Sequence, residues 1–346
     1  MEFTNIMQAI SLQQPRQIAI IEVDEPHVGP EDVLIEVHNI GLCGTDLNSY
    51  RGKLALVSYP RIPGHEVSGV ITAKGEAVPD AIRLGSKVML SPYTACGICP
   101  SCRNGRPNCC QFNQTLGVQR DGAMRRRFAI HYSQVFASEI LSLEELALVE
   151  PLSVGYHAAN RGRISEIDTV LVIGCGAIGI GVMVAAARKG ATVIAVDVDD
   201  AKLATAQTFG AQHLINSQTQ DVLAEVARLT HNEGVSVAIE AVGLPDTFRL
   251  AVAGVAYSGR VVYVGYAKDG VTYDTTDFVR KELDILGSRN ALRVFPAVIK
   301  MLERRERPFR DLISATYPFS ATAQAFAAWD SNPAGFTKIL INLEEE

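Results

Sequence analysis

Cys96, Cys99, Cys102 and Cys110 are separated by two, two and seven residues. Such a ladder gathers four thiolates around one tetrahedral zinc. A disulfide cluster is the alternative. However, the short loop Cys96-Gly97-Ile98-Cys99-Pro100-Ser101-Cys102 sits in a long chain that shows no secretory signal, which favours metal. A structural zinc lobe over about residues 91–112 is therefore expected. Cys109 lies beside the last ligand and replaces it if the register moves by one; spacing favours Cys110.

The 346 residues exceed what one core usually holds, and 47% apolar with 20% charged residues is an ordinary balance, so two domains are expected. A net charge of -6 gives no basic field to hold nucleic acid or an anionic membrane, which leaves small molecules as the expected partners. Met1 to Ile10 carries neither a charged leader nor a long apolar run, and glycines break up the most hydrophobic stretch, near 170–187. A cytoplasmic protein is the expectation. The acidic tail Glu344-Glu345-Glu346 is expected to be solvated.

The first third reads as short strands broken by Gly and Pro, such as Val33-Leu34-Ile35-Glu36-Val37 and Val67 to Thr72. From about 168, apolar strands near 169–173, 192–196, 213–215, 236–240, 260–264 and 283–286 alternate with helical stretches. The fold class is thus α/β, a β-rich domain followed by a doubly wound parallel sheet. Beyond 290 come a helical segment to Arg305 and a closing apolar strand, Thr337 to Leu343, that belongs with the first domain. The expected domains are 1–150 with 291–346, and 151–290, with the cleft between them as the expected site.

Asp168 to Ile173 reads as a strand that runs into Gly174-Cys175-Gly176-Ala177-Ile178-Gly179 and then a helix to about Lys189. Gly174 permits the tight turn, Gly176 lets the backbone reach a pyrophosphate, and Gly179 packs helix on strand. Asp197 ends the next strand, eighteen residues after Gly179, and can accept hydrogen bonds from both adenosine ribose hydroxyls. It would repel a 2′-phosphate, so NAD is expected rather than NADP. Lys202 touches the ribose edge or is a solvated helix charge. Val242, Gly243, Val264 and Gly265, at the ends of later strands, are further cofactor-binding candidates.

Ile40-Gly41-Leu42-Cys43-Gly44-Thr45-Asp46 and Pro63-Gly64-His65-Glu66 bring a thiolate, an imidazole and carboxylates to the β-rich domain. Taken singly, a buried Cys is usually core and a lone His a satisfied hydrogen-bonding group. Gly64-His65-Glu66, followed by Gly69, Gly75 and Val78, resembles the zinc-containing alcohol dehydrogenase signature of the medium-chain dehydrogenase/reductase family. The likeness covers nearly the whole chain and extends to the four-cysteine lobe, Glu150-Pro151 and the Gly-rich turn. It is strongest to the sorbitol, threonine and aldonate dehydrogenase branch.

The resemblance implies a GroES-like catalytic domain and a Rossmann domain. It implies a catalytic zinc held by Cys43 and His65, with Glu66 or Glu150 as third protein ligand, and a zinc-dependent oxidation of a secondary alcohol by NAD. Asp46 matches a carboxylate that orients the His65 imidazole. Thr45 matches a proton relay that relatives often complete with a histidine five residues after the cysteine. This chain has Asn48 there, which cannot act as a base. A homodimer or homotetramer is expected by analogy.

For the substrate, Tyr50, Glu150 and the segment Gly287-Ser288-Arg289-Asn290 are the pocket candidates. The stretch Lys281 to Ala291 is similar to sugar-acid oxidoreductases, where Arg289 could pair with a substrate carboxylate; equally it could contact cofactor or a neighbouring loop. Arg125, Arg126 and Arg127 depart from the family pattern; strand side chains alternate, so they cannot all face one way. A sugar acid or polyol is the expected substrate, and a 3-hydroxy amino acid such as threonine the alternative. A zinc- and NAD-binding protein without turnover is the reading from another class.

Overall fold

The computed structural model describes residues 6–344; the start of the N-terminal segment and the acidic tail beyond Glu344 lie outside the described residues. The chain divides into two compact units. Residues up to Glu150 join those from Phe295 onward in one, and Pro151–Val294 forms the other.

In the first unit a hairpin pairs Ile6–Gln14 with Gln17–Asp24. A larger sheet of the described residues runs in the order Ile313–Pro318, Lys338–Asn342, Asp32–Leu42, Glu66–Lys74, Lys87–Leu90 and Val135–Ala137, with Arg127–His131 also paired to Asp32–Leu42. Val33, Ile35 and Val37 alternate inward, the period of a strand with one buried face. From Asn39 to Leu42 every residue is buried, and there the strand is paired by Glu66–Lys74 on one edge and Lys338–Asn342 on the other. The chain's last strand thus ends up beside Leu42, one residue from Cys43.

The second unit is a parallel sheet in the order His213–Asn216, Thr192–Asp197, Thr169–Ile173, Val235–Glu240, Val255–Tyr263, Asp284–Gly287. Numbered along the chain this is 3-2-1-4-5-6, the doubly wound order with its crevice at the carboxyl end of the first strand. Strands such as Val170–Ile173 are apolar without a break because helices cover both faces of a parallel sheet. One strand differs from expectation. Val255–Tyr263 begins well before 260. Ser258 takes a positive φ of 56°, its N–H donates to Lys281 O at 2.6 Å, and a register shift opposite Val235 and Val237 carries the strand through.

No helix among the described residues is long and apolar enough to cross a membrane. Gly179 packs the helix Ala177–Arg188 onto its strand so closely that a Cβ there would lie 1.9 Å from Gly174 O. Gly179→Ala should therefore destabilise the second unit by about 1–3 kcal/mol, as overpacking does. Thermal unfolding checks this, and an unchanged melting temperature would contradict the packing described.

Candidate metal centres and nucleotide site

The helix Gly44–Tyr50 starts at Cys43, which is its cap: Thr45 N–H donates to Sγ at 3.2 Å, and Cys43 N–H donates to Asp46 Oδ2 at 2.9 Å. This reciprocal cap fixes the sulfur without help from any metal. His65 immediately precedes the strand Glu66–Lys74, and its Nε2 lies 2.9 Å from Cys43 Sγ. Its Nδ1 is 3.7 Å from Asp46 Oδ1, buried and without a hydrogen-bond partner among the described residues. Ligand atoms of Cys43, Asp46 and His65 all lie within 4.8 Å of one another. Burial pulls the His65 pKa down, but Cys43, Asp46 and Glu150 outweigh it and hold the imidazole well above its ordinary value. A sulfur, an imidazole and a carboxylate converging this closely form a donor set that fits zinc.

The two candidate third ligands have different surroundings. Both oxygens of Glu66 lie on Lys338 Nζ, at 2.7 and 2.5 Å, and the same ammonium donates to Leu42 O at 3.0 Å. The side chains of this pair are 3% and 1% exposed. Gly41 makes the room, since a Cβ there would come within 2.1 Å of Glu66 Oε2. Glu150 lies in the first turn of the helix Val149–Arg161 and accepts a hydrogen bond from the Tyr93 hydroxyl. Burial and the Glu66 charge push Glu150 up to about 7, against the opposing pull of His65, Tyr93 and Lys338. Burial and the Glu150 charge also raise Tyr93, so its phenol keeps its proton.

Cys96, Cys99, Cys102 and Cys110 form the second cluster, all four sulfurs within 4.8 Å of one another. Cys99 Sγ and Cys110 Sγ are 3.9 Å apart. That is close to the edge of about 3.8 Å of a tetrahedron built on Zn–S bonds of about 2.3 Å. All are free cysteines. The N–H groups of Cys96 and Cys99 donate to Cys110 Sγ and Cys96 Sγ at 3.4 and 3.3 Å. Cys109 stands outside the cluster; its carbonyl instead accepts from Ser101 Oγ at 2.9 Å.

In the second unit the turn Gly174 to Gly179 joins Thr169–Ile173 to the helix Ala177–Arg188. Gly176 caps that helix with an ordinary φ of -71°, and a Cβ added there would meet nothing within 4 Å. Neither conformation nor packing demands glycine here, and the open space at the helix N-terminus fits a pyrophosphate. Asp197 accepts from Cys175 N–H at 2.7 Å, Val198 N–H at 2.8 Å and Asp199 N–H at 3.2 Å, which fixes its carboxylate at the strand end. Lys202 is half-buried in the next helix, where its N–H is capped by Asp199. Val242 and Gly243 donate their N–H groups to Glu240 Oε1, while Val264 N–H donates to Glu240 O at 2.9 Å and Gly265 packs on Gly243. Glu240 is fully buried and is the residue that organises this rim, a role that sequence reasoning missed.

The substrate candidates fare unevenly. Tyr50 is 8% exposed, tilted against Phe326 at 5.3 Å with Arg16 over its ring, which makes it core and removes it from the pocket. Arg289 and Asn290 follow the strand Asp284–Gly287, Asn290 at a positive φ of 54°. Arg125 donates to Gly122 O and lies over Phe128, Arg126 donates to Leu343 O beneath Phe319, and Arg127 pairs with Glu25. These three arginines are thus spent on local structure. Tyr93 and Lys338 are site residues that the sequence did not single out. Lys338 had a readable signal, a cation opening an apolar strand that must be buried.

Two outcomes follow from the geometry. Zinc titrated into chelator-stripped protein should release protons, with affinity falling as pH drops, because His65 must lose the proton its neighbours hold; pH-independent uptake would refute this. Lys338→Met leaves Glu66 buried and unpaired and should cost about 3–5 kcal/mol, most of it recovered by adding Glu66→Gln. Chemical denaturation of the two variants measures both terms, and a single variant as stable as wild type would contradict the buried pair.

Comparison with known proteins places this geometry. The alcohol dehydrogenase GroES-like domain family matches residues 29–139 and the zinc-binding dehydrogenase family residues 177–304. The chain is 33% identical to a sorbitol dehydrogenase of Bacillus subtilis, over 92% of each chain. It is 29% identical to an L-galactonate-5-dehydrogenase of Escherichia coli, over 92% of this chain and 94% of that one. Among solved structures, an Escherichia coli alcohol dehydrogenase, RspB, complexed with NADH superposes with a TM-score of 0.90 at 30% identity, covering 98% of this chain and 100% of that one. A Sinorhizobium meliloti protein assigned as a zinc-binding dehydrogenase and bound to NADP gives 0.89 at 28%, covering 98% and 99%. The chain therefore belongs to the zinc-containing alcohol dehydrogenases of the medium-chain family, a zinc oxidoreductase with a nicotinamide cofactor.

Proposed function

We propose that the protein oxidises a secondary alcohol of a sugar acid or polyol to the ketone, with NAD as acceptor. The observation that carries this reading is the Cys43–His65 pair, 2.9 Å between sulfur and Nε2. Cys43, His65 and Glu150 would hold the zinc, since Glu66 is occupied on both oxygens by Lys338. Bound there, zinc supplies the Lewis acidity that lowers the pKa of an alcohol hydroxyl and prepares its carbon to give up hydride to nicotinamide.

The chain's own residues then have separable tasks. Asp46 holds the cap that fixes Cys43 and faces His65 Nδ1, so it orients both donors. Thr45 Oγ1, in the first turn of the same helix, is the hydroxyl that takes the substrate proton onward; Asn48 cannot receive it as a base, and water completes the path. Tyr93 donates to Glu150 and keeps that carboxylate in place. Asp197 presents a fixed negative charge where a 2′-phosphate would stand, which supports NAD over NADP. The substrate class is supported by relatives named for sorbitol and for L-galactonate.

Cys43→Ala should lower NADH formation by at least about 1,000-fold while leaving NAD binding, read by fluorescence titration, within about twofold; a metal-coordinated step lost entirely has that scale. Turnover close to wild type would sink the assignment. Asp197→Ala should narrow the preference for NAD over NADP; an unchanged ratio would contradict the role given to that carboxylate.

A further inference from the structure

Arg120 has buried nitrogens without partners. Its Nε and Nη2 are shut off from solvent and hydrogen-bond to nothing, and no carboxylate lies within ion-pairing distance among the described residues. The acid beside it is taken: Asp121 accepts from Arg61 Nη1 at 2.9 Å and from Ile62 N–H at 3.2 Å. The three arginines that lead into the nearby strand each have an acceptor, Arg125 on Gly122 O, Arg126 on Leu343 O and Arg127 on Glu25. A guanidinium stays charged in proteins, so burying one without an acceptor is costly and calls for a reason.

The loop that carries Arg120 is stitched to the two segments that deliver the metal site. Leu116 N–H donates to Pro92 O at 3.1 Å, one residue before Tyr93, the donor to Glu150. On the other side, Gly122 N–H donates to Ile62 O at 2.7 Å, Met124 N–H to Pro63 O at 3.0 Å and Ala123 N–H to Gly64 O at 3.0 Å, immediately before His65. Gly117 packs so close that a Cβ would lie 2.7 Å from Gly64 N. Within the loop, Gln119 Oε1 accepts from Thr115 N–H at 2.9 Å. Arg120 is thus held on a fixed loop next to the turn that bears His65.

We propose that Arg120 recognises the anionic end of the substrate, a carboxylate or phosphate at the terminus of the carbon chain whose alcohol is oxidised. The proposal rests on the dehydrogenase reading above and adds the group that selects for charge. A planar guanidinium pairs with either anion through two parallel N–H donors. The residue is half-buried and its Nη1 is not among the sealed atoms, so an incoming anion reaches the guanidinium from that edge and supplies acceptors that no resident acid does.

The test compares wild type, Arg120→Gln and Arg120→Lys on L-galactonate, on the neutral polyol of the same skeleton and on that polyol's terminal phosphate ester. The preference for the charged over the neutral substrate should fall about 10- to 100-fold in Arg120→Gln, mainly through KM, with part retained in Arg120→Lys. Whichever charged substrate shows that dependence identifies carboxylate or phosphate as the anion. Equal losses on charged and neutral substrates would overturn the proposal. A second readout needs no turnover: L-galactonate or inorganic phosphate should raise the melting temperature of wild type and not of Arg120→Gln. If wild type oxidises only neutral polyols, the sugar-acid reading fails by itself, and the melting shift still decides. A shift abolished by the substitution upholds the anion site, and a shift retained overturns it. Dissociation of an oligomer by Arg120→Gln would also overturn it, since the missing acceptor would then come from a second copy.

Discussion

Lys338 Nζ bridges Leu42 O and both oxygens of Glu66, and the first unit is organised around that ammonium. Leu42 precedes Cys43 and Glu66 follows His65, so one buried cation fixes the backbone next to each of these two residues. The opposite charges are each nearly sealed from solvent, a situation stable only when both are paired and further hydrogen-bonded. Gly41 is required because any side chain there would occupy the position of Glu66 Oε2. The pair also ties the strand Lys338–Asn342 to the segments bearing Cys43 and His65, which is why residues some three hundred positions apart belong to one unit.

The consequence for chemistry is a division between two carboxylates that sequence spacing treats alike. Glu66 faces a cation on both oxygens, while Glu150 faces the Tyr93 phenol and feels the repulsion of Glu66. Environment assigns them different tasks, as it does wherever neighbouring acids share a site. The sulfur lobe is built on another principle. Its cysteines lie on a short loop and turn, with backbone N–H groups directed at sulfur, and need no long-range ion pair.

Much of this was legible in the sequence because the features are local. The four-cysteine lobe, the strand–glycine turn–helix of the nucleotide site and the alternation that gives a doubly wound sheet each depend on a few adjacent residues, and α/β with a GroES-like and a Rossmann domain is the fold found. What escaped depends on pairing across long separations. Lys338 could be suspected from its apolar strand, but its partner could not. Tyr50, two residues from Asn48, resembles a pocket residue until Phe326 and Arg16 are seen to enclose its ring. The three consecutive arginines drew attention through their density, yet each is satisfied locally, whereas Arg120, unremarkable in the sequence, keeps two buried nitrogens without an acceptor among the described residues.

On the proposed reading, this chain holds two chemically different zinc ions, one among four sulfurs and one at Cys43, His65 and Glu150. Anomalous diffraction at the zinc edge from crystals of the zinc-loaded protein locates both ions. Two peaks per chain are expected, one bounded by Cys96, Cys99, Cys102 and Cys110, and the other touching a single sulfur, the His65 Nε2 and the Glu150 carboxylate while Glu66 stays on Lys338. A single peak, or a second zinc held by Glu66 with Lys338 displaced, would contradict that reading.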